Sequence, residues 1–173
     1  MALCSTLSGI TLDCRDNVGG IEAVYIAAAS GSIVATPTAG AVAIGSISID
    51  GGTGTTLDSD FQTYECVKQT GAMNETGTFS EENGTVFYTN VASVVFNKTT
   101  AAKLEELNEL AKSNKLCVIV KDNNGLYWMV GNDRGALVSN STAGTGTAFG
   151  DRNGVTMEFT GIHELPMIQV TVS

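Results

Sequence analysis

The chain has 173 residues, close to the size of one domain, and folding at this length buries about 70% of the unfolded surface without help from disulfides. Hydrophobic residues make up 43% and charged residues 16%, with 20 Gly and 2 Pro, which excludes collagen and charge-driven disorder. The net charge of -9 argues against a protein that holds nucleic acid by neutralising phosphates. We expect neither a membrane span nor an ordinary secretory signal, because long apolar runs are absent and Arg15 is the first basic residue.

The N-terminal third is acidic and contains a tract of small residues. Residues 16–67 include no Lys or Arg but several carboxylates, which predicts a surface of one sign. Within this region, residues 27–56 are almost entirely Ala, Gly, Ser, Thr, Ile and Val. Alternation predicts a strand over residues 42–50. We expect the flanking parts to form either a surface loop or an arm that is ordered by a neighbouring subunit.

Most of the remaining chain is predicted to form strands and hairpins. Asn83-Gly84 and Asn124-Gly125 are each flanked by alternating or β-branched runs, which is typical of hairpins with tight turns. The predicted strands cover residues 61–68, 72–80, 85–96, 116–121, 126–130, 136–139, 155–160 and 167–172, with a glycine-rich loop at 144–150.

One helix interrupts this rhythm, at about residues 99–114. Thr99 or Thr100 can cap its N-terminus. Small apolar and leucine side chains recur at spacings of three and four, and this stripe should pack on a sheet: Ala101, Leu104, Leu107, Leu110 and Ala111. The sequence therefore predicts one mainly β domain over residues 1–173, a β-sandwich or small barrel of antiparallel strands with one flanking helix.

The cysteines indicate no metal site. None of the four belongs to a Cys-x-x-Cys pair, and His163 is the only histidine, so we expect no zinc. Cys66 and Cys117 are predicted to be buried and reduced. Cys4 and Cys14 pair only if the intervening segment folds back, and a cytosolic context favours free thiols there.

Known catalytic motifs are absent from the sequence. Residues 144–150 miss the dinucleotide-binding spacing by one residue, and residues 151–158 fail as a calcium loop because Gly154 comes too early. His163 lies between Gly161 and Pro166 and is predicted to be a surface residue. The glycosylation sequons should carry no glycan without a secretory signal: Asn74, Asn83, Asn97 and Asn140. We therefore expect no catalytic residue, cofactor or metal.

Two stretches resemble virion structural proteins of tailed bacteriophages, most closely tail tube proteins. They are GITLDCRDNVGGIEAVYIA at residues 9–27 and GDRNGVTMEFTG at residues 150–161, and the order of strands, helix and hairpin agrees. The resemblance implies hexameric rings that stack into a tube for double-stranded DNA. It also implies a virion location after assembly in the host cytoplasm, and tail partners such as a tape measure and a tail terminator.

Sequence features fit a conduit, because an acidic channel repels phosphates. Under this hypothesis, deleting residues 31–40 leaves a folded monomer that forms no tubes. A head-decoration or neck-ring protein shares the fold and remains the first alternative. A carbohydrate-binding module needs exposed aromatics, for which the candidates are Tyr25, Tyr64, Tyr127 and Trp128. A hydrolase needs His163 beside an acid or hydroxyl.

Overall fold

The computed structural model describes residues 10, 15–38, 40–52 and 55–172, and it confirms a mainly β, mostly antiparallel, sandwich-like fold. The sheet does not close into a barrel. The helices are α1 (Leu57–Asp60) and α2 (Ala101–Lys112), with a 3-10 turn at Ile44–Ser46. The strands are β1 (Ile21–Ala28), β2 (Ile33–Val34), β3 (Ala41–Ala43), β4 (Ser48–Ile49), β5 (Gln62–Glu65), β6 (Ala72–Ser80), β7 (Thr85–Asn97), β8 (Leu116–Asp122), β9 (Tyr127–Val130), β10 (Ala136–Gly144), β11 (Gly154–His163) and β12 (Ile168–Thr171).

Ten of these strands form one hydrogen-bonded sheet that divides into two halves. The first half has the order β5-β1-β8-β9-β12-β3, in which only β12 and β3 are parallel. The second half has the order β10-β11-β7-β6. A single paired position, Leu116 opposite Ala136, joins β8 to β10. The two halves can therefore pack face to face while remaining one continuous sheet.

The main core lies between the two halves. Val24 and Val118 from the first half belong to the same buried cluster as Val94 and Phe159 from the second. Each of these four side chains is completely buried. Alternation along the strands produces this arrangement, because every second side chain of a strand points to the same face.

The central strand β8 is buried on both faces. Leu116, Val118 and Val120 belong to the main core, whereas Cys117 and Ile119 belong to a second apolar cluster on the opposite face. Continuous hydrophobic runs are typical of strands covered on both sides. The first half of the sheet is accordingly a middle layer.

The small-residue tract supplies much of the cover on that opposite face. Ile33, Ile44 and Ile47 are at most 5% exposed and pack in the second cluster with Met129 and Ile168. The strand predicted at residues 42–50 is wrong as a single element, because β3, the 3-10 turn and β4 divide this segment. The tract packs against the sheet instead of standing free as an arm.

Helix α2 confirms the predicted flanking helix. Its N-terminus is capped by the Thr100 hydroxyl, which accepts a hydrogen bond from the Lys103 N–H at 3.4 Å. Leu107 and Leu110 enter the main core, but Leu104 remains 42% exposed. The predicted apolar stripe is therefore buried over only part of its width.

Both predicted hairpins form, β6–β7 and β8–β9, and Gly84 and Gly125 adopt positive φ angles in their turns. Strand β1 was not predicted, and β10 continues to Gly144 where the prediction ended at residue 139. In the described part of the chain, no helix has the length and apolar character needed to cross a membrane.

Candidate assembly surfaces

Two strands of the second half leave backbone edges unpaired within the described residues. Strand β6 pairs only with β7, along its whole length of 9 residues. Strand β10 pairs with β11, and its other edge meets β8 only at Ala136. A free edge presents N–H and C=O groups that can pair with another chain. These two edges are therefore places where another chain could add a strand.

The outward face of the second half is rich in hydroxyl groups and almost uncharged; we call it the threonine face. The strand register places Thr76 beside Thr89 on this face. Glu158 is its only charged side chain, and none of the four strands places a Lys or Arg there. Other polar members are Asn74, Thr78, Ser93, Thr142, Thr156 and Thr160. A cation reaches this face from the preceding loop, where the Arg152 guanidinium donates a 3.4 Å hydrogen bond to the Thr156 hydroxyl, whereas the strands themselves offer no cation to phosphate groups.

The end of the β6–β7 hairpin carries an exposed apolar group; residues 79–86 are called the hairpin tip. Phe79 is 67% exposed and Val86, directly opposite it, is 52% exposed. The Phe79 ring packs edge-on against Tyr88, with 6.0 Å between the ring centroids. A Cβ at Gly77 would lie 2.8 Å from the Phe79 ring, so glycine makes room for this packing.

A cleft of about 580 Å³ lies between α2, β5 and the end of β7; we call it the helix cleft. Tyr64 and Phe96 line it with tilted rings whose centroids are 6.2 Å apart. The Tyr64 hydroxyl donates a 2.6 Å hydrogen bond to the Glu106 carboxylate. The pKa of this phenol is raised, mainly by burial and also by the hydrogen bond to Glu106 and its negative charge. The remaining lining residues are Thr63, Glu65, Asn97, Lys98, Ala102, Lys103, Leu107 and Val155.

His163 is buried, so its prediction as a surface residue is wrong. It ends β11 opposite Tyr88, where alternation turns its side chain inward, and only 7% of its surface is exposed. Its Nε2 accepts a 3.4 Å hydrogen bond from the Gly131 N–H, which requires the neutral imidazole at that nitrogen. Burial is the main cause that lowers its pKa. The His163 side chain is therefore enclosed in the interior.

The candidate sugar-binding aromatics do not share one exposed face. Tyr25 and Tyr127 pack against the second cluster with ring centroids 6.1 Å apart, whereas Tyr64 packs against the main core. The Trp128 Nε1–H donates to the Asp122 carboxylate at 3.0 Å. All four rings are partly buried. They are used for packing and internal hydrogen bonds.

The glycine-rich loop after β10 is exposed and satisfies its own polar groups. The Asp151 carboxylate accepts hydrogen bonds from the Thr147 and Ala148 N–H groups, each at 2.8 Å. These bonds lower the pKa of Asp151 and stabilise the turn. Among the described residues, no cluster of three potential metal ligands occurs.

The structure describes two of the cysteines. Cys66 is partly buried and Cys117 fully buried, both as free thiols, and burial raises their pKa values to about 11 and about 12. Such thiols are poor nucleophiles near neutral pH. The proposed pairing of Cys4 with Cys14 lies outside the described residues.

No protein-family model matches the chain, and no curated protein or solved structure matches it.

Proposed function

We propose that this chain is a structural subunit of a bacteriophage tail tube. Its copies assemble into rings, in the resembling family hexameric, and the rings stack into a conduit for double-stranded DNA. It acts by binding its own copies and tail partners such as a tape measure and a tail terminator, without catalysis or a cofactor. The proposal places it in the virion tail after assembly in the host cytoplasm.

The free edge of β6 is the observation that carries this proposal. Nine residues of an ordered strand have no paired strand on one side in the described chain, where the Met167 N–H donates a hydrogen bond to the Glu75 side chain, and this strand contains no Pro or Lys. Exposed edges of this length are a hazard for a monomer, and pairing with a second copy removes it. Repetition of the same contact around a ring leaves no edge open.

The threonine face supports the conduit part of the proposal. A wall that guides DNA must not bind it, since each cation placed against a phosphate adds affinity. The strand residues of this face include no Lys or Arg, and Glu158 supplies a negative charge that offsets the Arg152 guanidinium reaching the face at Thr156. Together with the net charge of -9, this makes the threonine face the best candidate for the lumen wall.

Electron microscopy of the purified chain tests the proposal. We expect negative-stain images of stacked rings with a central hole, and light scattering should give the mass of the oligomer. The double substitution Thr76→Lys and Thr78→Lys adds two cations to the edge strand and should abolish rings by repulsion between approaching edges. Asn108→Lys with Ala111→Lys adds the same charge on exposed positions of α2 and should leave them intact.

The opposite result is equally clear. A wild-type chain that stays monomeric at high concentration overturns the tube proposal and favours a head-decoration protein or a binding module. Rings that persist in the Thr76→Lys, Thr78→Lys variant would show that the β6 edge is not the contact.

A further inference from the structure

We infer that the hairpin tip of one copy docks in the helix cleft of a second copy. This inference deepens the proposed self-assembly and rests on it, because it names the two surfaces that meet. Apolar fit, charge and the positions of the two surfaces on β7 support it.

The hairpin tip presents an apolar group that its own chain leaves uncovered. Phe79 and Val86 extend the inward face of β6 and β7 beyond the main core, which on these strands includes Ala92 and the adjacent Met73. The Phe79 ring is held in place by Tyr88, so little conformational freedom remains to be lost on binding. A rigid exposed aromatic is typical of a residue that anchors an interface.

The helix cleft has the matching character. Its apolar lining includes Phe96, Leu107 and Val155, and the tilted ring pair of Tyr64 and Phe96 leaves aromatic surface facing the opening. Aromatic rings prefer edge-on or offset contacts at centroid distances of about 4.5–7 Å. A volume of about 580 Å³ accommodates a phenylalanine side chain together with neighbouring tip atoms.

The hairpin tip is acidic, and one end of the helix cleft is basic. The tip turn contains Glu81 and Glu82, both exposed. At the N-terminal end of α2, Lys98 and Lys103 line the helix cleft.

Two carboxylates, Glu65 and Glu106, also line the helix cleft, so its lining carries as many negative as positive charges. Both lie towards β5, because Glu65 belongs to that strand and Glu106 accepts a hydrogen bond from the hydroxyl of Tyr64 in the same strand. Glu65 lies on the β5 wall, whereas the Lys103 Nζ donates a 2.7 Å hydrogen bond to the Asn97 carbonyl at the opposite wall. Bonding to a neutral carbonyl leaves the lysine charge uncompensated, so it remains available to the tip carboxylates.

The contact must join different copies, since the two surfaces lie at opposite ends of one strand. Strand β7 has 13 residues, from Thr85 to Asn97. The hairpin tip lies at its first residue, and the basic end of the helix cleft begins with Lys98, directly after its last residue. A strand of that length spans about 40 Å. The hairpin tip at one end of each copy thus meets the helix cleft at the opposite end of the next copy. Such head-to-tail contacts produce rings or continuing stacks.

Charge reversal tests the inference with sedimentation velocity and negative-stain microscopy. Glu81→Lys with Glu82→Lys, or Lys98→Glu with Lys103→Glu, should each prevent association because like charges then meet. A mixture of the two variants should associate again, since each tip faces a cleft of opposite charge. Glu105→Lys with Glu109→Lys makes the same charge change as the tip variant, on helix residues outside the cleft lining, and should behave as wild type.

A second pair of variants tests the apolar anchor. Phe79→Ala should weaken association by about 10- to 100-fold, as expected for the loss of a buried aromatic side chain. Leu126→Ala removes an exposed side chain from the other hairpin turn and should leave association unchanged. Circular dichroism of every variant should show the wild-type fold.

The outcomes separate this inference from the tube proposal. If the tip and cleft variants form tubes as readily as wild type, the docking contact is wrong and the tube function stands. If wild-type chains pair and respond to both reversals but form no tubes, the contact stands and the tube function is wrong. Folded variants that fail to associate when mixed would overturn the docking contact.

Discussion

Leu116 and Ala136 face each other at the one paired position that joins β8 to β10. Both side chains are completely buried, and both belong to the main core. The chain passes here from one half of the sandwich to the other. The turn at Gly131 packs directly against Ala136, since a Cβ at position 131 would overlap the Ala136 backbone, and this leaves little room around the Ala136 side chain.

Enlarging Ala136 should therefore destabilise the fold. We expect Ala136→Leu to lower the free energy of unfolding by about 1–3 kcal/mol, the usual cost of forcing extra methylenes into a packed core. Leu137→Met, at the half-exposed neighbouring position, should change it by less than about 0.5 kcal/mol. Denaturant titration monitored by circular dichroism measures both. Equal effects would contradict a tightly packed corner.

The small-residue tract should behave as core and not as a free arm. Ile33 is 1% exposed, whereas the adjacent Val34 is 46% exposed. We expect Ile33→Ala to cost about 2–5 kcal/mol of unfolding free energy and Val34→Ala less than about 1 kcal/mol. Deletion of residues 31–40 removes Ile33 as well, so it tests stability together with assembly. Thermal and denaturant unfolding of the two point variants measure these changes. If Ile33→Ala left the free energy of unfolding unchanged, the tract would not be part of the core.

Asp50 should make the tract sensitive to acid. Its carboxylate accepts hydrogen bonds from the Ser30 N–H at 2.8 Å, from the Gly31 N–H and from the Ser30 hydroxyl. The bonds from the Ser30 and Gly31 N–H groups lower its pKa below the ordinary 3.8. The resulting stabilisation is present above pH 3.8 and is lost as the pH falls through the lowered value.

The matching test compares wild type with Asp50→Asn, which retains the size of the side chain but not its charge. We expect the variant to melt at a lower temperature at pH 7 and the difference to shrink towards pH 3. Melting curves at several pH values measure this. A difference that is constant with pH would mean that the carboxylate charge does not stabilise the turn.

His163 should give a pH dependence at milder values. Burial lowers its pKa from 6.5, so the unfolded chain takes up a proton before the folded chain does. Stability is then fully present above pH 6.5 and decreases as the pH falls below that value. Protonation also removes the Nε2 acceptor used by the Gly131 N–H. Between pH 7.5 and pH 5, we expect the free energy of unfolding to decrease for wild type and to change less for His163→Gln. Denaturant titrations at several pH values measure both, and equal slopes would contradict a role for His163.

Local sequence was sufficient for most elements of the second half and for the helix. The alternating runs around Asn83-Gly84 predicted β6 and β7, and the leucine spacing predicted α2. Strand β1 was not predicted, because its sequence IEAVYIAA mixes alanines with larger apolar residues and shows no regular alternation of apolar and polar side chains. Its main neighbour β8 lies about 90 residues away, and local patterning carries no information about such pairings.

The candidate assembly surfaces were harder to predict from the sequence. Phe79 lies at an inward position of an alternating strand, which by itself predicts burial. The hairpin extends past the core, so the same residue is exposed. His163 shows the opposite error, since it was predicted to be exposed and is buried. Gly161 and Pro166 suggested a turn, but β11 continues to His163 and carries it into the interior.

The amino-acid sequence alone determined the class of fold, the turns, the helix and an acidic chain without known catalytic motifs. These properties depend on spacing, turn chemistry and composition over a few residues or summed over the chain. Only the tertiary structure decided that β8 is covered on both faces, that the small-residue tract supplies one cover, and that the hairpin tip and helix cleft lie at opposite ends of β7. Alternation identifies which side chains share a face of a strand. What covers that face depends on contacts between distant segments.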